Sequence, residues 1–135
     1  MELLTFPKNE YLLDASLEDL HTQSQEWIKE IDFWTDEITF FYKLLHKKET
    51  ANVFPARELA EIEKTLIRIN GEDMTRLRTE VMAHERLLSS VVRSTSLTDE
   101  QSYRESHRKL YREMFRLNEL IRVFKRSVFS FYSET

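Results

Sequence analysis

Apolar side chains recur along this chain in steps of three and four residues. From Ser16 onward the series Leu17, Leu20, Ser24, Trp27, Ile31, Trp34, Ile38, Phe41, Leu45 alternates these steps without a miss, and Ser24 is its polar member. Such steps keep one stripe of a helix turned toward a partner, as in a coiled-coil seam. Ser16 with Asp19 resembles a capping box with a shortened acid. The first helix is therefore expected over about 16–48, fading in the His46–Glu49 region.

A second series opens after Pro55, a residue that the first turn of a helix tolerates because its missing N–H had no helical partner. It runs Leu59, Ile62, Leu66, Ile69 and then, in a new phase, Met74, Leu77, Val81, His84, Leu88, Val91. The step from Leu66 to Leu77 reads as a stutter, with Asn70-Gly71 inside it. That pair is able to end a helix. One continuous helix over 55–93, loosened at that point, matches its neighbours in length and is the reading preferred. Thr98 with Gln101 forms a capping box for a third helix over about 98–132. Its seam is Tyr103, His107, Leu110, Met114, Leu117, Ile121, Phe124, Val128, Phe131.

Short connections between long helices make neighbours antiparallel. The expectation is an all-α fold, an antiparallel up-down-up bundle of three long heptad-patterned helices. Residues 16–135 form its single domain. A leader, residues 1–15, precedes it and carries Leu3, Leu4 and Phe6, then Tyr11, Leu12 and Leu13, which are expected to pack on the bundle. Folding the chain about its two connections pairs Leu45 with Leu59, Trp34 with Ile69 and Trp27 with Leu77. It also pairs Leu77 with Met114 and Val81 with Leu110. Apolar faces apolar at nearly every level, so pattern and topology agree.

Composition narrows the picture. One glycine and two prolines in 135 residues leave no material for the many turns of a β-sandwich or barrel. No cysteine is present, which removes disulfide and thiolate chemistry. A net charge of −4 argues mildly against nucleic acid and acidic membranes. The start, with Glu2 and no long apolar run, does not read as a signal peptide, and no stretch approaches a membrane span. A cytoplasmic protein is expected.

The candidate chemistry sits in the seam. The same folding sets His84 opposite His107, with Leu20 and His21 beside them and Glu18, Glu80, Glu85 and Glu105 nearby. Imidazole nitrogens suit zinc, iron, nickel or copper, so His84, His107 and His21 are the candidate metal ligands. The competing reading, given more weight, is a polar core pair that fixes register. A pH-sensitive layer is a third, since two facing core histidines are costly to charge together. No nucleophile motif and no glycine-rich phosphate loop occurs, so no catalytic residue and no cofactor is assigned.

Arg104, Arg108, Arg112 and Arg116 recur every four residues on the third helix, with Lys109, Arg122, Lys125 and Arg126 beside them. A nucleic-acid strip is the sharper reading. A solvated face paired to the acidic first helix is preferred.

The most informative feature is an apolar surplus beyond the seams: Ile28, Phe33, Phe40, Tyr42 and Leu44 on the first helix, Tyr111, Phe115, Leu120, Phe129 and Tyr132 on the third. Phe33 and Phe40 are seven apart and share a line. Phe40 to Leu44 and Phe129 to Tyr132 fall at one end of the bundle. Large apolar patches mark interfaces, so Phe33, Phe40, Leu44, Phe115, Phe129 and Tyr132 are the candidate interface.

Gln25-Glu26-Trp27-Ile28-Lys29-Glu30 resembles the tryptophan-containing first helix of spectrin-type repeats, and Leu44-Leu45-His46-Lys47-Lys48-Glu49 has a similar character. That resemblance implies a three-helix antiparallel coiled coil with a spacer or scaffold role. The run Leu17, Leu20-His21, Trp27, Glu37-Ile38 also resembles the start of small uncharacterised bacterial long-helix bundle proteins. Together these readings lead to a non-enzymatic interaction or scaffold protein acting as a homodimer or by docking a partner helix. The alternative is a metal-binding bundle.

Overall fold

The computed structural model describes residues 16–45, 56–93 and 97–133. The leader, Pro55 and the side chains of Leu45, Leu59, Phe131 and Tyr132 lie outside the described set, and so do the expectations attached to them. All the described residues except Ser16 are helical. Three helices result: α1 (Leu17–Leu45), α2 over 56–93 and α3 (Leu97–Ser133).

Ser16 starts α1 as its cap. Its Oγ accepts the Asp19 N–H at 3.1 Å and its carbonyl accepts the Leu20 N–H at 3.1 Å. The first bond satisfies one of the donors that a helix start leaves orphaned, and the second is the first regular turn of the helix. The third helix begins at Leu97, which places Thr98 inside the first turn rather than at the cap.

Asn70-Gly71 does not break α2. An α-helical stretch, Ala56–Arg68, passes into a π-helical stretch, Ile69–Met74, and on into a second α-helical stretch, Thr75–Arg93. Arg68 and Thr75, on either side of it, keep right-handed helical dihedrals (φ −63°, ψ −47° and φ −64°, ψ −44°). The hydrophobic pattern explains the wider turn. Ile69 and Met74 are five apart, one residue more than an α-helix tolerates on one face, and a π turn accommodates the extra residue. Both side chains are then buried. The Thr75 hydroxyl donates to the Asn70 carbonyl, five residues back, at 3.1 Å.

The core follows the seams. Leu20, Ser24, Trp27, Ile31, Trp34, Ile38 and Phe41 of α1 are all buried, as are Leu66, Ile69, Met74, Leu77, Val81, His84 and Val91 of α2. On α3 the buried seam runs from Tyr103 to Val128. Fully burying one large aliphatic side chain is worth about 1.5–3 kcal/mol, so these three stripes dominate the stability of the fold. The surplus divides. Tyr111 is buried, and Ile28, Leu44 and Leu120 pack half-buried against the core, so these four widen it. Phe33, Phe40, Tyr42 and Phe129 stay exposed.

Polar pairs tie the helices at several levels. His21 of α1 meets Glu85 of α2 at 2.8 Å, and Asp32 meets Arg78 at 3.0 Å. Between α1 and α3, Glu37 meets Lys125 at 2.8 Å. Arg76 of α2 lies 4.0 Å from Glu113 of α3. The basic face of α3 meets the expectation of pairing with α1 at Lys125, and departs from it at four of its arginines. Arg104, Arg108 and Arg116 pair with Glu100, Glu105 and Glu113 of their own helix, and Arg122 with Glu119. A long cation reaches a carboxylate three or four residues along its own helix more readily than one across a groove. No described helix is long and apolar enough to cross a membrane.

Candidate functional site

The polar layer near the start of α1 is a closed chain of hydrogen bonds. His84 of α2 and His107 of α3 are 3% and 0% exposed. His84 Nε2 stands 3.0 Å from His107 Nδ1. On the far side of His107, Nε2 lies 2.6 Å from Gln23 Oε1 on α1. On the far side of His84, Nδ1 lies 3.2 Å from Ser106 Oγ on α3.

These partners assign the protons. An amide oxygen only accepts, so His107 carries its hydrogen on Nε2 and presents a lone pair at Nδ1. His84 must then donate from Nε2, which leaves its Nδ1 as an acceptor for the Ser106 hydroxyl. Ser24, 3.5 Å from His107 Nδ1, donates instead to the Leu20 carbonyl at 3.1 Å. All four ring nitrogens are satisfied, and both rings are neutral.

Aromatic faces close the layer. The His84 ring stacks on Tyr103, centroids 4.2 Å apart and planes 2° from parallel. The His107 ring stacks on Trp27 at 4.4 Å. Burial makes charging either ring costly, holding His84 down at about 4 and His107 at about 3, against an ordinary 6.5. The Arg104 guanidinium, and His84 whenever it takes up a proton, oppose a charge on His107 further. Burial likewise pushes the Tyr103 phenol up to about 12.

Sequence folding brought His84 and His107 together, and the structure places them in direct contact. His21 stands apart, held by Glu85. Glu80 and Glu105 turn to Arg76 and Arg108. The two facing histidine nitrogens hold each other, and among the described residues no group of three or more His, Asp or Glu is placed to hold a metal ion. The layer is a hydrogen-bonded joint of three helices. Gln23 and Ser106 went unread because each lies one position off a seam, and Ser24, the polar break in the α1 seam, was the signal pointing to this level.

A second constellation lies at the other end. Phe41, buried, is met edge-on by three rings: Phe40 at 5.6 Å, Phe124 at 5.9 Å and Phe129 at 5.7 Å. Phe40 and Phe129 nevertheless remain 59% and 57% exposed, and Phe33 49%. Phe115 is half-buried on α3. An apolar groove of about 510 Å³ runs between the first part of α2 and the last part of α3, lined by Ile62, Leu120, Val123 and Phe124 among others. Comparison of the chain with protein-family models, with curated proteins and with solved structures found no match.

Proposed function

We propose that this chain is a non-enzymatic helical interaction protein, an up-down-up three-helix coiled-coil bundle that pairs with a second copy of itself through the aromatic end. The topology is supported by contact pairs whose numbers fall along α2 as they rise along α1 (His21 with Glu85, Asp32 with Arg78). They rise together along α1 and α3 (Gln23 with His107, Glu37 with Lys125).

The observation that carries the functional reading is the pair Phe40 and Phe129, which lean on one buried ring and still present more than half their surface to solvent. Phe33 extends that face along α1. Aromatic side chains are the strongest interface anchors because each removes a large apolar area from water at little cost in side-chain entropy. Twofold pairing of one patch with itself is the commonest assembly. The reading implies a scaffold role, in keeping with the spectrin-like run around Trp27, and a cytoplasmic setting.

The test replaces Phe33, Phe40 and Phe129 together by serine. The parent is expected to scatter light as two chains and the variant as one, with helical circular dichroism unchanged. A parent that scatters as one chain at every concentration overturns self-association, and capture of a synthetic amphipathic helix by that monomer assigns the face to partner docking instead.

A further inference from the structure

We propose that the Ser106–His84–His107–Gln23 chain is an acid-sensitive latch that holds α2 against α3, with α1 tied on through Gln23, while both imidazoles are neutral and parts between the two histidines when the pair takes up protons. The geometry is asymmetric. A first proton on His84 Nδ1 leaves every contact intact, because the Ser106 hydroxyl, 3.2 Å away, turns from donor to acceptor. A second proton has only His107 Nδ1 to go to, and there it sets two N–H groups facing each other across 3.0 Å. One proton strains the latch by burying a charge, and two break it.

The surroundings offer little compensation. From α1 the pair is faced by Gln23, Ser24 and the Trp27 ring, none of them anionic. From α2 the neighbouring carboxylate is Glu85, whose Oε2 meets His21 at 2.8 Å and whose buried Oε1 has no hydrogen-bond partner among the described residues. From α3 it is faced by Tyr103, by Ser106 and by Arg104, whose positive charge opposes protonation and whose own partner is Glu100. Burial therefore works against the charged forms from all three helices. Parting of the two histidines separates α2 from α3 at this level and opens the packing around Trp27, which stacks on His107 in the closed state.

Each histidine that is neutral in the fold and charged in the unfolded chain raises the unfolding constant up to about tenfold per pH unit below its ordinary value. The two together give up to about a hundredfold. Urea unfolding of the full chain and of the double variant His84→Leu, His107→Leu, followed by tryptophan emission from pH 7.5 to 4.5, reads this difference. The parent is expected to lose stability more steeply than the variant by that factor, with red-shifted emission. Equal pH dependence in the two proteins overturns the latch. Imidazole nitrogen NMR of the unmodified chain is a second readout that needs no variant to fold. Both rings are expected to hold their hydrogen on Nε2 at neutral pH and to stay neutral until the structure opens. Titration of both near 6.5 with the folded spectrum retained overturns the proposal.

Discussion

The amide oxygen of Gln23 is the least conspicuous part of the histidine layer, yet it decides which nitrogen of His107 carries the proton and hence the direction of the whole chain. Gln23→Leu leaves the buried His107 Nε2–H without a partner, and chemical unfolding at neutral pH should show a loss of about 1–3 kcal/mol. Gln23→Glu tests the electrostatics. A carboxylate at that nitrogen favours the imidazolium and raises the folded-state value of His107. The histidines of the parent have folded values below 6.5, so the stability they hold is complete above about 6.5 and drains as pH falls toward about 4 and 3. Gln23→Glu should therefore flatten the acid limb of a thermal-stability profile, and a steeper limb would contradict the tautomer assignment. The His84–His107 contact was legible because both residues occupy seam positions that chain folding sets opposite one another. Gln23 and Ser106 were not, since side-chain reach from a flank depends on rotamers that spacing does not encode.

Periodicity carried the elements almost to their ends, because a three-four rhythm is what burial of one helix face demands. It also located the irregularity of α2, where the step from Leu66 to Leu77 departs from that rhythm. The form of the irregularity was less legible. Asn70-Gly71 equally suits a helix end, and what decides for a π turn is the burial of both Ile69 and Met74 across it. Gly71 is not needed for its backbone freedom. No glycine here has positive φ, and a Cβ at Gly71 would meet nothing within 4 Å. Gly71→Ala should raise the unfolding free energy by about 0.5–1 kcal/mol, chiefly by reducing the entropy of the unfolded chain. A lower melting temperature for that variant would show that the π turn needs glycine after all.

At the scale of the molecule, two unlike ends emerge from one repetitive pattern. Near the start of α1 the core is interrupted by a polar joint, and near its finish the core spills onto the surface as aromatic rings. The surplus side chains read from the sequence divide in the structure, and Val123 of α3, 55% exposed, joins the outward set unread. Tyr111, Ile28, Leu44 and Leu120 went inward because three helices enclose more than a two-residue seam per heptad. Phe33, Phe40, Tyr42 and Phe129 remained outside. The account rests on those rings meeting a second copy, and static light scattering across a hundredfold dilution of the unmodified chain tests it most directly. The account predicts twice the chain mass at high concentration, falling toward a single chain on dilution. A single-chain mass throughout would contradict it.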